Sequence, residues 1–203
     1  YEINSDVIRL AKKHFTFLSG CQGDVELFLG DARQKLEREP DQQFDVLAVD
    51  AFSGDAIPVH LLTRECFDEY RRHLKKDGIL VIHISNLYFD LKPVVAAAAK
   101  RLGWKAYLVD AYGEDHKGTT GSAWMVLAPT LGDPIRNAMK KAEEELLLEN
   151  GTPVATTTEY SERFIEWTDT SNSPWSVLKK RTFGFDWHPA TFARFRGCPF
   201  ADF

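Results

Sequence analysis

The chain of 203 residues carries a formal net charge of −5, with 44% hydrophobic and 27% charged residues. A chain of this length can bury one full core, and its acidic balance argues against a general nucleic-acid binder, which usually displays a basic face. With no apolar run near the ~20 residues of a membrane helix, no signal peptide, and three cysteines without a CxxC spacing, we expect a cytoplasmic protein with neither disulfides nor a zinc site.

Apolar runs and amphipathic patterns alternate along most of the chain. Five apolar runs predict strands, at residues 25–29, 44–49, 78–84, 105–110 and 122–128. Five patterns with helical period predict helices, at about residues 5–17, 31–38, 60–75, 91–102 and 133–149. This alternation is typical of a parallel α/β sheet with helices on both faces, in which the last strand could run antiparallel.

The character of the sequence changes after residue 130. No clean periodicity follows the last predicted helix, but the aromatic content from residue 151 onward is too high for a disordered tail. We therefore divide the chain into an α/β domain, residues 1–130, and a C-terminal helix with an aromatic-rich extension packed on it, residues 131–203.

Acidic residues stand where three strand-like segments end. Asp50 and Asp55 follow one segment, Asp31 follows another, and Glu2 lies just before the first helix. Ligands of parallel sheets bind beyond the carboxyl ends of the strands, so these acids should face one crevice. Paired carboxylates suit a cationic substrate or the removal of a proton. Asp50 could equally cap a helix, and Asp55 could be a solvated turn residue.

Further short motifs accompany the strand-end acids in a fixed order. They are the run Asp50–Thr63, the strand end His83-Ile84-Ser85-Asn86 with Tyr88 and Asp90–Val95, and the late Trp167-Thr168-Asp169. Together they resemble the spermidine synthase family of class I methyltransferase-like proteins. More narrowly, they look like bacterial spermidine synthase-like proteins that are fused to a transporter-like membrane segment. The resemblance covers roughly residues 1–180 and implies a Rossmann-like class I methyltransferase fold.

The resemblance implies a nucleoside site built from four residues. Glu2 would accept hydrogen bonds from both ribose hydroxyls, and Asp31 would contact the adenine amino group, with Ile3 and the Ala32 backbone beside them. Asp31 could also cap the helix that follows it, and the two roles are compatible. Asn4 stands where many spermidine synthases have Asp, which makes the match one to the wider family.

The resemblance also implies which residues act on the amine. Asp50 is the predicted general base, and Asp55 the carboxylate that holds an ammonium of a diamine. The family places its second acid three residues after the first, whereas here the separation is five, which leaves the identity of the amine open. Tyr88 and Asp169 would complete the substrate site, although Asp169 could instead cap a turn.

The strand end at residues 83–86 could line the same crevice. His83, Ser85 and Asn86 are its polar residues. We expect His83 to be a hydrogen-bonded strand residue rather than a base.

The predicted activity is transfer of an aminopropyl group from decarboxylated S-adenosylmethionine to a small amine. Two alternatives stay open: a methyltransferase that uses intact S-adenosylmethionine and a small acceptor, and a non-catalytic domain that senses nucleosides or polyamines. We expect no nucleic-acid partner and no metal, because the loop cluster Glu114-Asp115-His116 lacks a spaced partner that would complete a coordination shell. A homodimer is compatible with the sequence, and the parent protein could carry a membrane segment.

One part of this fold has no counterpart in the sequence. The first strand and its glycine-rich turn sit at the centre of such a sheet, yet the sequence begins at the acid that should end the second strand. Unpaired inner edges would cost about 1–3 kcal/mol for each buried backbone group. We therefore expect either that the sequence is part of a longer chain or that another segment fills the gap.

Overall fold

The computed structural model describes residues 1–51, 58–113, 120–145 and 155–179, which contain one five-stranded sheet and its helices. The strands are β1 Phe44–Val49, β2 Leu74–His83, β3 Lys105–Ala111, β4 Ser122–Ala128 and β5 Ala155–Glu159. The helices are α1 Ser5–His14, α2 Ala32–Arg38, α3 Arg64–His73, α4 Lys92–Leu102 and α5 Asp133–Glu144. Asp55, the cluster at 114–116 and the aromatic residues beyond 179 lie outside the described residues.

The order of the strands in the sheet is β1-β2-β4-β3-β5. β1 pairs in parallel with β2, β4 is antiparallel to both β2 and β3, and β5 is antiparallel to β3. β1, β2 and β3 therefore run in one direction, and their carboxyl ends lie at the same edge of the sheet. This arrangement confirms the predicted α/β fold class and the antiparallel strand at 122–128.

Successive residues of β2 face opposite layers, because side chains alternate along a strand. Leu80 and Ile82 are buried in the larger core, which contains residues of α3 and α4 and also Trp167. Ile79 packs in a smaller core with Val126 and with residues of α5. Helices therefore cover both faces of the sheet, as predicted.

The helix α4 packs through small and β-branched side chains. All residues from Pro93 to Ala99 are buried, and the helix contacts β3 and β4. It ends at Gly103, whose φ of +70° lies in the left-handed region that favours glycine. Gly103 thus terminates the helix.

Two segments differ from the prediction in whether they form a strand. Residues 25–29 do not form a strand: Leu29 makes a single parallel bridge to Glu2, and Val25 is 44% exposed. A strand needs a partner along its length, and within the described ranges only Glu2 supplies one here. In contrast, β5 forms from Ala155-Thr-Thr-Thr-Glu159, a run whose lack of alternating apolar residues hides its strand character.

β1 has a partner strand on one side only. It pairs with β2, and no segment of the described chain pairs with its other edge. The domain boundary at residue 130 stays a prediction. None of the described helices has the length and apolar character required to cross a membrane.

Candidate active site

Asp50 directly follows β1 and lies at the carboxyl edge of the sheet. The parallel register pairs Val49 with Ile82, so Asp50 stands beside His83, the last residue of β2. His83 Nδ1 lies 2.8 Å from Asp50 Oδ1. The Asp50 side chain is nevertheless 60% exposed, so its carboxylate stays accessible to a ligand.

Both ring nitrogens of His83 face polar groups. Nε2 lies 2.7 Å from Ser85 Oγ, and this hydroxyl accepts a hydrogen bond from the Ala123 N–H at 2.7 Å. The imidazole also packs against the Trp124 ring, with centroids 4.6 Å apart. The sequence predicts a hydrogen-bonded His83 but gives no sign of its contact with Asp50, because that contact depends on the register of two strands.

A cavity of about 570 Å³ opens at the carboxyl ends of β2 and β3. Ser85 lies on its β2 side and Asp110 and Tyr112 on its β3 side. Its wall also includes Asp90 and Lys92, whose charged groups are 3.2 Å apart. A few polar groups among apolar walls are typical of a small-molecule site, and the carboxylates suit a cationic ligand.

The turn after β2 is fixed by the side chain of Asn86. Its Oδ1 accepts hydrogen bonds from the N–H groups of Tyr88 and Phe89, at 3.0 and 2.8 Å. Lys179 Nζ donates to the Asn86 carbonyl at 2.7 Å, which ties the end of the described chain to this turn. The Tyr88 side chain is 41% exposed and is not part of the cavity wall. Its role in substrate binding stays a prediction.

The two acids predicted for the nucleoside lie on neighbouring segments. A parallel β-bridge joins Glu2 to Leu29, and the Gly30 N–H donates a hydrogen bond to the Glu2 carbonyl at 3.0 Å. Asp31 directly follows Gly30 in the sequence. Gly30 has a φ of +140°, which is strained for any other residue. Asn4 caps α1, because its side chain accepts a hydrogen bond from the Asp6 N–H.

Asp31 is engaged through both carboxylate oxygens. Oδ1 accepts a hydrogen bond from the Gln34 N–H at 2.9 Å, which caps α2, and Oδ2 lies 2.9 Å from His60 Nε2. Burial acts to raise the pKa of Asp31, but the hydrogen bonds from Gln34 and His60 outweigh it and keep the pKa below its usual value. Ala32 is the first residue of α2, and Ile3 is 71% exposed. The capping role is confirmed, and the nucleoside contacts stay predictions.

Asp169 forms a two-point ion pair with Arg33. The Nη1–Oδ1 and Nη2–Oδ2 distances are 2.7 and 2.5 Å, and Thr63 Oγ1 donates to Oδ1 at 2.7 Å. The hydrogen bond from Arg33 lowers the pKa of Asp169 to about 2. Burial acts to raise this pKa, and the hydrogen bond from Thr63 acts to lower it further. The contacts join α2, the segment before α3 and the C-terminal part of the described chain. A substrate would have to compete with them, so the predicted binding role of Asp169 stays a prediction.

The fold is similar to that of a solved structure. A probable spermidine synthase from Corynebacterium glutamicum ATCC 13032 superposes with a TM-score of 0.57 at 18% identity, covering 85% of this chain and 64% of that one. The chain has a spermidine synthase-like fold. At this level of identity the similarity concerns the fold alone.

Two curated proteins are similar in sequence, although no protein-family model matches. Over 82 residues the chain is 35% identical to the polyamine aminopropyltransferase of Vibrio vulnificus (strain CMCP6), covering 39% of this chain and 27% of that protein. Over 143 residues it is 24% identical to polyamine aminopropyltransferase 1 of Aquifex aeolicus (strain VF5), covering 70% and 51%. The chain thus spans about half, or less, of the length of the curated relatives it matches.

Proposed function

We propose that the chain carries the catalytic edge of an aminopropyltransferase, which moves the aminopropyl group of decarboxylated S-adenosylmethionine to a small amine. The main observation behind this proposal is the exposed Asp50 carboxylate, which lies beside His83 at the carboxyl edge of the sheet. The sequence similarity to two polyamine aminopropyltransferases and the shared fold support the choice of reaction.

The reaction requires one proton acceptor and an in-line approach. The acceptor nitrogen attacks the carbon next to the sulfonium, the new C–N bond forms, the C–S bond breaks, and the sulfonium leaves as a neutral thioether nucleoside. The amine proton passes to Asp50, the general base. The site contributes mainly by holding the two reactants in line, since positioning alone can supply several kcal/mol of the barrier.

Donor and acceptor occupy different parts of the site. Glu2 and Asp31, with Ile3 and Ala32, hold the nucleoside of the donor. The acceptor extends into the cavity beside Ser85, where carboxylates line the wall.

Three further residues serve the acceptor in this proposal. Asp55, five residues after Asp50 in the sequence, binds an ammonium by charge-assisted hydrogen bonds. Tyr88 contributes from the turn after β2. Asp169 contributes by anchoring the segment before α3, through Arg33 and Thr63.

The identity of the transferred group tests the proposal. The natural full-length polypeptide is incubated with decarboxylated or intact S-adenosylmethionine and with putrescine, a longer diamine or a neutral acceptor, and the products are identified by mass spectrometry. Aminopropylated amine, formed only from the decarboxylated donor, is expected. A methylated product would replace the proposal by a methyltransferase. Nucleoside or polyamine binding without any product would instead indicate a sensor.

A further inference from the structure

An unbroken series of polar contacts links the predicted base to the antiparallel strand β4. It starts at the Ala123 N–H, passes through Ser85 Oγ and His83 Nε2, and ends between His83 Nδ1 and Asp50 Oδ1, with distances of 2.7, 2.7 and 2.8 Å. Ala123 and His83 belong to strands, Asp50 directly follows β1, and Ser85 lies two residues after the end of β2. A carboxylate that would otherwise sit on an exposed strand end is thereby tied to the rigid part of the fold.

The series favours one position for the proton of a neutral His83. The Ser85 hydroxyl accepts a hydrogen bond from the Ala123 N–H, and its own proton is free to be donated to His83 Nε2. A neutral imidazole carries one N–H, so an accepting Nε2 places the proton on Nδ1. Nδ1 then carries its proton on the side of Asp50, whose Oδ1 lies 2.8 Å away, although no aligned hydrogen bond joins these two atoms in the described structure.

The imidazole plane is also restricted. β2 and β4 place His83 directly opposite Trp124 in the ladder, and the two rings pack at 4.6 Å with planes 33° apart. The ring therefore presents Nδ1 to Asp50 in a fixed direction. One carboxylate oxygen lies against this nitrogen, and the other remains to accept a proton, consistent with the 60% exposure of the side chain.

We propose that His83 is a positioning residue for Asp50, and that Ser85 selects the imidazole tautomer that does so. The role in catalysis rests on the proposed function, because it requires Asp50 to be the base. The contact and the tautomer do not depend on the reaction, and they can be measured without it.

Two isosteric variants separate positioning from mere packing. In His83→Asn the amide nitrogen can take the place of Nδ1 and still donate to Asp50, whereas in His83→Gln it can take the place of Nε2 and reaches Ser85 instead. We expect His83→Gln to lower kcat by up to roughly 100-fold, the usual cost of a misplaced reacting group, with little change in the KM of donor or acceptor. His83→Asn should recover most of the loss. Thermal unfolding of both variants controls for folding.

Nitrogen NMR of the protein, isotopically labelled at histidine, measures the tautomer of His83 and does not require transferase activity. The wild type should show the Nδ1–H tautomer at His83, and Ser85→Ala should shift it towards Nε2–H. An Nε2–H tautomer in the wild type, or equal kcat in His83→Asn and His83→Gln, would overturn the positioning role. An Nδ1–H tautomer in a protein that transfers no aminopropyl group would refute the proposed function and leave the contact intact.

Discussion

The contribution of the ion pair between Arg33 and Asp169 to the free energy of unfolding can be calculated from the pKa of Asp169. The pKa of about 2 for Asp169 lies about two units below the value of an unfolded chain, which corresponds to about 2.5 kcal/mol at most. The Asp169 side chain is 42% exposed, so solvent screening reduces the expected contribution to about 1 kcal/mol. We therefore expect Asp169→Asn to lower the free energy of unfolding by about 1 kcal/mol at neutral pH.

The loss should depend on pH with a definite sign. A folded pKa below the unfolded one means that the pair stabilises the protein fully above about pH 4 and loses this contribution as the pH falls towards 2. Urea unfolding followed by tryptophan fluorescence should therefore show a gap between the wild type and Asp169→Asn at pH 7 that narrows to about a third at pH 2.5.

A second ion pair provides the matched control. Asp68 pairs with Arg101 at 2.6 Å, and its side chain is 53% exposed. Asp68→Asn should cost about 0.5 kcal/mol or less. Equal losses in the two variants, or a gap for Asp169→Asn that is as large at pH 2.5 as at pH 7, would refute the reasoning. Unchanged stability with a raised acceptor KM would show that Asp169 serves the substrate directly.

Two further predictions concern the nucleoside acids. Glu2→Gln should weaken binding of methylthioadenosine by roughly 1–3 kcal/mol in calorimetry, the range for a charged hydrogen-bond partner, while Glu26→Gln on the neighbouring segment should not; equal affinities in wild type and Glu2→Gln would show that Glu2 does not bind the nucleoside. Asp31→Asn should weaken nucleoside binding yet keep α2 stable, because Asn caps helices as well as Asp does, whereas Asp31→Ala should also cost about 1 kcal/mol of stability. Loss of stability in both Asp31 variants would show that the pairing with His60, rather than the cap, holds the helix.

Local patterns predict most of this fold. The runs at 44–49 and 122–128 coincide with β1 and β4, because each is long and apolar enough to be a strand in any tertiary context. Helix α3 begins at Arg64 rather than at 60, since residues 59–61 form a 3₁₀ turn that its apolar period does not distinguish from a helix. β5 exists through its pairing with β3, which its threonines alone do not indicate.

The candidate site is predicted less completely, because its contacts join distant residues. Asp50 is visible as an acid after a strand, but its pairing with His83 follows from the register of β1 on β2. Asp169 is separated from Arg33 by 136 residues, so no local pattern could indicate that its carboxylate is engaged within the protein. Sequence motifs thus locate the acids, and only the tertiary structure shows what each one contacts.

The role of Asp50 as the base is tested most directly by Asp50→Asn, with Asp45→Asn as its control. Asp45 lies near the opposite end of β1 and pairs with Lys75 at 2.5 Å. In the natural full-length polypeptide, Asp50→Asn should slow aminopropyl transfer by about 10²–10⁴-fold while nucleoside binding stays unchanged, and Asp45→Asn should leave both unchanged. Full transfer activity in Asp50→Asn would contradict the assignment of Asp50 as the base.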